Sequence, residues 1–347
     1  MEATGRQGEA CQPGRILQLD GLRAAAILAV FFHHAFTIKL LWMGVDLFFV
    51  LSGFLITGIL IAHKKDSLGR YLGGFYKRRA RRIYPPYVLL LAVTTLLFGT
   101  SWMRHAYMYV FLMNFLHPLR ILEPYTLVIL WSLAVEEQFY LVWPFVVYFV
   151  REVQLWWIAS VLMVVAPLLR WLCTPLFARE WAIHFLTPFR MDCVAAGALL
   201  ALLWRSHRAL VQQFGAYGLG LAAAAVIALG LLSRIRGYST AANTRAGNTV
   251  IYELTMLISV GLILWALSGR WVGILKLARL RYIGRISYSM YLISTTALVV
   301  ASWMVHSIVA TAAIAAAITV VYASVSWYVM EKPLLSREPD EASVLRA

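Results

Sequence analysis

Along this chain apolar residues gather in blocks of about twenty, separated by short polar or basic stretches. Read through a window of about nineteen residues, the blocks place spans near 22–41, 44–63, 84–101, 127–150, 153–172, 188–204, 215–233, 250–268, 284–305 and 307–329. One helix needs ~20 residues to cross the hydrocarbon of a bilayer. The pattern therefore predicts an all-α, polytopic integral membrane bundle of about ten transmembrane helices joined by short loops. The stretch 105–116 (HAYMYVFLMNFL) is too short to span and is expected as an interfacial or re-entrant helix at headgroup level. The first block carries Arg23, His33 and His34 with no small-residue cleavage site behind it, so it is expected to remain as a mature helix. The organisation read from these blocks is a short N-terminal segment over 1–16, one membrane domain over 17–333 and a short tail over 334–347.

Composition sharpens the class. Hydrophobic residues make up 61% of the 347 and charged residues 14%, against roughly 25% charged in an average soluble domain, so a water-soluble core has no way to hide the apolar surface. The net charge of +15 does not point to nucleic acid, because the basic residues sit between apolar blocks and no soluble domain presents them. They sort by side instead: with the N-terminus placed in the cytoplasm, 21 of the 31 Lys and Arg fall on the cytoplasmic side. That bias predicts both termini inside. Cys11, Cys173 and Cys193 show neither CxxC nor zinc spacing, and no bound metal is expected. Apart from alanine-rich patches at Ala222–Ala225 and Ala310–Ala317 there is no low complexity, and no internal repeat of the kind seen in two-half transporters is visible.

Ionisable groups inside a membrane are costly and mark candidate sites. In LDGLRAAAILAVFFHHAF, Arg23 and His34 are eleven residues apart, three turns plus about 20°, so they share one stripe ~16 Å apart along the helix. His33 points about 100° away from His34. Asp20 stands before the apolar block as a cap. In GVDLFFVLSGFLIT, Asp46 opens the second helix on the side toward which His34 points, and is expected to orient the imidazole as in a His–Asp pair or to cap the helix. Gly53 and Ser52 suit close helix packing; Ser52 reads as a nucleophile only with a base pinned beside it. In WSLAVEEQFYLVWP, Glu136 and Glu137 lie deep in an apolar block, with Tyr140 one turn from Glu136. A carboxyl so placed either pairs with an arginine or serves acid–base chemistry, and Arg190 and Asp192 in TPFRMDCVAAGALLA offer such a partner. The cluster FYKRRARRIYPPY, with Lys77, Arg78, Arg79, Arg81 and Arg82, reads as an orientation signal, an anionic-lipid contact or, with Arg279, Arg281 and Arg285, a seat for donor phosphates.

At these residues the sequence resembles the acyltransferase 3 family of membrane-bound acyltransferases, which includes O-antigen and other polysaccharide O-acetylases. Seven motifs follow in family order over about 17–333: LDGLRAAAILAVFFHHAF, GVDLFFVLSGFLIT, RRARRIYPPY, WSLAVEEQFYLVWP, FRMDCVAAGALLA, GRISYSMYLIS and WYVMEKP. The resemblance implies acyl transfer, often of acetyl, from a cytoplasmic acyl-CoA-type donor to an acceptor hydroxyl at or beyond the membrane, with no permanently bound cofactor. The family's arginine, ten residues, histidine pattern falls on Arg23 and His34, its RxxR element on Arg79 and Arg82, and its characteristic glutamate on Glu136; it also marks Asp46, Tyr288 and Glu331–Pro333. Many members carry a further C-terminal extracytoplasmic domain, whereas this sequence ends 14 residues after Pro333, so the membrane domain or a separate partner is expected to meet the acceptor.

The expected chemistry has His34 as general base on the acceptor hydroxyl or as first acyl acceptor, with Asp46 orienting it. Arg23 and Glu136 complete the catalytic set. Arg79, Arg82, Arg78, Arg285 and Tyr288 would hold the donor, and Arg190, Asp192, Glu137 and Tyr140 would support the site. Expected partners are the lipid bilayer, a carbohydrate or lipid-linked acceptor and acyl-CoA, without nucleic acid. Two rivals fit the charge placement: a proton-coupled transporter or flippase using His34, Asp46 and Glu136 as a relay, and an assembly protein whose polar groups only join helices.

Overall fold

The structure is a computed structural model that describes residues 16–104, 106–116, 118, 125–235, 237–238 and 242–335. The N-terminal segment through residue 15, with Cys11, and the tail from residue 336 lie outside these residues, as does His105. The described residues form thirteen α-helices and no strand. They are α1 (Leu17–Phe36), α2 (Gly44–Ala62), α3 (Leu68–Phe98), α4 (Leu130–Phe149), α5 (Glu152–Cys173), α6 (Trp181–Phe185), α7 (Met191–Ser206), α8 (Arg208–Phe214), α9 (Gly218–Leu232), α10 (Arg245–Ser268), α11 (Ala278–Met304), α12 (Ile308–Ser326) and α13 (Lys332–Leu335).

Each predicted apolar block falls on a helix, and the chain is an all-α membrane bundle. Among the described residues, seven stretches are long and apolar enough to cross a bilayer: Leu17–Phe36, Lys39–Ala62, Glu152–Leu176, Arg208–Leu232, Arg245–Ser268, Ala278–Met304 and Ile308–Leu335. The expected count of about ten exceeds this because three blocks lie on helices of a different make. The half of α3 before Ile83 is basic, α4 carries Glu136 and Glu137, and α7 has 16 residues.

Burial sorts the helices into a centre and a rim. The apolar windows of the second and sixth of these stretches, which contain α2 and α11, are 72% and 67% buried, whereas those of Glu152–Leu176, Arg208–Leu232 and Ile308–Leu335 are 22%, 28% and 22% buried. The rim turns Trp157, Val164, Ile227, Leu231, Val321 and Val325 outward, as helices bathed in lipid do. At the centre α2 runs along α7, α1 along α11, and α11 along α12.

Small residues set these seams. A Cβ on Gly53 of α2 would stand 2.1 Å from the Val194 carbonyl oxygen of α7, and one on Gly197 of α7 the same distance from the Val50 oxygen. A Cβ on Gly284 of α11 would lie 1.9 Å from the Asp20 oxygen of α1. Without hydrophobic drive between helices in lipid, such backbone approach is what holds them together.

The segment 105–116 departs from its expected helix. Its described part, 106–116, forms 3-10 turns at Ala106–Met108 and Met113–Phe115, and Phe111 between them has φ +52°, which ends any helical run. The segment enters the bundle, with Met108, Met113 and Leu116 buried. Side chains meet its freed backbone and polar groups: Tyr87 Oη donates to the Met108 oxygen at 2.9 Å, and Gln138 Nε2 to the Phe111 oxygen and to Asn114 Oδ1 at 3.0 Å each. Irregular backbone at membrane depth is tolerated when protein buries it in this way.

The α2–α7 seam is expected to be intolerant of side chains. Gly53→Val should lower the thermal midpoint of detergent-solubilised protein by several degrees, in line with about 1–3 kcal/mol for overpacking. Gly69→Ala, at a position with open space around its Cβ, should leave it unchanged or slightly raised.

Candidate active site

The WSLAVEEQFYLVWP motif lies on α4, where helical spacing puts Glu136 and Tyr140 one turn apart on the same face. Tyr140 Oη donates to Glu136 Oε2 at 3.2 Å and stands 3.3 Å from Ser52 Oγ, while Ser52 Oγ donates to Glu136 Oε1 at 2.7 Å. The carboxylate is thus gripped through both oxygens, once from its own helix and once from α2. Arg23 of α1 and Arg79 of α3 lie within Coulombic reach of it. The Arg79 guanidinium carbon sits 5.7 Å from the Tyr140 ring centroid and 5.9 Å from that of Phe75. Glu137 neighbours Glu136 and Arg79, and its Oε1 is buried with no hydrogen bond from the described residues.

Four helices therefore converge on Glu136. The arginine expected to serve this carboxyl was Arg190, at the N-cap of α7; the structure sets Arg23 of α1 and Arg79 of α3 beside it instead. The physical reason is that Arg190 and Asp192 are already committed elsewhere. Arg190 pairs with Asp46, which also accepts from Thr255 Oγ1 at 2.7 Å. Arg190 further lies 4.6 Å from the Tyr252 ring centroid and 5.6 Å from that of Trp42. Asp192 pairs with Arg170 of α5 at 2.6 Å, and Arg170 reaches Glu253 of α10 at 2.5 Å and the Phe189 oxygen at 2.5 Å. Asp46, Arg190, Arg170, Asp192 and Glu253 form a second polar cluster joining α2, α5, α7 and α10.

This alters the role expected of Asp46 toward His34. Its carboxylate is engaged by Arg190 and Thr255, and the imidazole is held by its own helix: His34 Nδ1 lies 2.9 Å from the Val30 oxygen. A carbonyl only accepts, so this bond puts the ring proton on Nδ1 and leaves Nε2 with the lone pair that a general base needs. His33 makes the equivalent bond to the Ile38 oxygen at 2.9 Å, and the two rings meet edge to face with centroids 5.0 Å apart. His34 is half-buried at the end of α1 opposite Arg23.

The residues expected on the donor side gather where α3 meets α11 and the end of α12. Tyr288 Oη donates to the Ile83 oxygen at 3.1 Å, and Tyr288 lies within Coulombic reach of Glu136, Glu137 and Glu331. Glu331 is buried in a π-helical turn, Trp327–Glu331, and accepts from Ser289 Oγ at 2.7 Å and Ser326 Oγ at 3.1 Å, with Arg82 in Coulombic reach. Such turns recur at functional sites. Arg78 and Arg82 on α3 and Arg285 on α11 are half-buried around this junction.

Sequence reasoning passed over Ser52 as a partner of Glu136, and over Arg170, Glu253 and the bond from Tyr252 to His184 Nδ1 at 2.9 Å. Arg170 and Glu253 were detectable, since each interrupts an apolar block with a charge. The Ser52 contact spans 84 residues and has no local signature.

Breaking the second cluster on one side should be costly. Asp46→Asn leaves the Arg190 charge buried without its counterion and should destabilise the protein by about 3–5 kcal/mol, read as a fall in thermal midpoint. The paired change Asp46→Leu with Arg190→Met should recover most of that loss.

Comparison with known proteins agrees with the motif order. The family model described as an acyltransferase domain matches residues 16–331. Peptidoglycan O-acetyltransferase OatA of Listeria monocytogenes is 36% identical over 157 residues, 39% of this chain and 25% of the relative. O-acetyltransferase OatA of Staphylococcus aureus is 31% identical over 215 residues, 54% of this chain and 34% of the relative. The matched regions thus span a quarter to a third of these relatives' lengths. No solved structure matches the chain. With nearly its whole length covered by the family model, this chain belongs to the acyltransferase 3 family.

Proposed function

We propose that this protein transfers an acyl group, acetyl in the first instance, from a cytoplasmic acyl-CoA-type donor to a hydroxyl of an envelope carbohydrate. The names of its relatives favour a peptidoglycan sugar as the acceptor class. The observation that carries this reading is the two-ended disposition of chemistry on α1: Arg23 beside the Glu136 centre toward one end and His34, with Nε2 free to accept, toward the other. The excess of Lys and Arg on the side of Arg78, Arg79, Arg82 and Arg285 supports a cytoplasmic location for that end and for both termini, in a bacterial inner membrane.

In this reading the α3 and α11 arginines hold the donor's phosphates, a task suited to the bidentate guanidinium fork. His34 Nε2 takes the proton of the acceptor hydroxyl, a poor nucleophile at neutral pH, and a base so positioned contributes ~10²–10⁴-fold. Glu136, fixed by Ser52 and Tyr140, orders the arginines that hold the donor.

His34→Ala is expected to lower acetyl transfer to glycan by at least ~10²-fold with unchanged yield and thermal midpoint. His33→Ala should retain most of the activity. Arg82→Ala should act chiefly on the KM for the thioester, since it removes a contact made equally to bound donor and transition state. The measurement is radiolabelled acetyl incorporated into glycan by membranes carrying each variant. Undiminished incorporation with His34→Ala would sink the assignment.

A further inference from the structure

A carboxylate inside a bundle is tolerated when donors saturate it, and the carboxylates around Glu137 follow that rule. Glu136 accepts from Ser52 and Tyr140, Glu331 from Ser289 and Ser326, and Asp46 from Thr255 with Arg190 beside it. Arg170 pairs with both Asp192 and Glu253. Glu137 departs from them. Its Oε1 is buried, and no N–H or O–H of the described residues donates to it. Arg79 lies within Coulombic reach and offsets part of its charge, while Glu136 at the preceding position adds a like one. A buried acceptor left open in this way is costly unless a ligand supplies the donor.

The surroundings of Glu137 say which ligand. It stands twelve residues, ~18 Å, before the end of α4 at Phe149, well inside the bundle. Arg79 and Tyr84 reach it from α3 and Tyr288 from α11, the two helices that also carry Arg78, Arg82 and Arg285. Tyr84 in turn packs its ring 5.8 Å from that of Phe111. A carboxylate repels phosphate, so the part of an acyl-CoA that suits this position is the neutral arm between its phosphates and its thioester. That arm holds two secondary amides, each with an N–H to donate, whereas its hydroxyl lies near the phosphates. Glu137 is half-buried rather than sealed off, and the broad, two-fold torsion of a carboxyl lets either oxygen turn toward an N–H.

Resting on the acyl-transfer reading above, we propose that Glu137 is a donor-binding residue whose carboxylate accepts a hydrogen bond from an amide N–H of the acyl-CoA arm. The protein thereby selects thioesters carried on an amide-bearing arm. The bond is made equally to bound donor and to transition state, so it acts on the KM for the thioester and leaves kcat nearly unchanged. A hydrogen bond to a charged acceptor of this kind is worth ~10–10²-fold in binding. It also sets the stability of variants apart from that of the Asp46 cluster. Glu137→Met removes a buried acceptor that lacks a donor, so the thermal midpoint should stay level or rise, opposite to Asp46→Asn.

The test measures thiol release by protein in nanodiscs supplied with a carbohydrate acceptor and one of three donors: acetyl-CoA, or either of two analogues in which CH2 replaces one or the other amide N–H of the arm. With wild-type protein, one analogue should show a KM raised ~10–10²-fold over acetyl-CoA at similar kcat. In Glu137→Met the KM for acetyl-CoA should rise by that factor, and acetyl-CoA and that analogue should become equivalent. Glu137→Gln keeps a carbonyl oxygen that accepts, so it should retain part of the discrimination, which a role limited to balancing the Arg79 charge would not give. Wild-type protein that uses both analogues at the KM of acetyl-CoA would overturn the proposal, as would discrimination that persists in full in Glu137→Met. Wild-type protein that releases no thiol from acetyl-CoA would instead overturn the underlying acyl-transfer reading, and the role of Glu137 with it.

Discussion

A charge inside hydrocarbon must be met by its opposite or by hydrogen-bond donors, and this bundle is organised around that requirement. The Asp46–Arg190 pair expresses it most directly: it joins α2 and α7, whose backbones approach closely through Gly53 and Gly197, and draws in Thr255 of α10 and the aromatic faces of Trp42 and Tyr252. With Arg170, Asp192 and Glu253 it fixes the register of α2 against α5, α7 and α10. Ser52 lies six residues along α2 from Asp46, so the position of the Glu136 centre inherits that register.

The two clusters divide the labour. One neutralises most of its own charge through ion pairs across the seam. The other gathers arginines around a carboxylate that Ser52 and Tyr140 keep in place, while the imidazole of His34 stands at the far end of α1. Asp46, for all its burial, is engaged on both oxygens by Arg190 and Thr255 rather than by an imidazole. His34 does not need a carboxylate to fix its tautomer, because the Val30 carbonyl does so at 2.9 Å.

Much of the architecture was legible in the sequence. Blocks such as 250–268 and 307–329 report helices through hydrophobicity alone, and the one-turn spacing of Glu136 and Tyr140 announced their contact. What was hidden depends on partners far apart in the chain. Arg190 was expected to answer Glu136 and answers Asp46, because which of several buried charges pair is decided by helix packing and leaves no trace in spacing. The 105–116 segment misled because an apolar composition does not reveal a left-handed residue at Phe111. Seven stretches rather than about ten pass on length and hydropathy for a related reason: the charges on α3 and α4 dilute the hydropathy signal.

Acyl transfer requires thioester cleavage and acceptor esterification to be stoichiometrically coupled. Purified protein in nanodiscs, supplied with acetyl-CoA and a carbohydrate acceptor, permits free thiol and acceptor ester to be counted in the same sample. Equal amounts of both, each requiring the acceptor for sustained turnover, are predicted. Acceptor that crosses a vesicle membrane with no thiol released would contradict acyl transfer and favour a transporter.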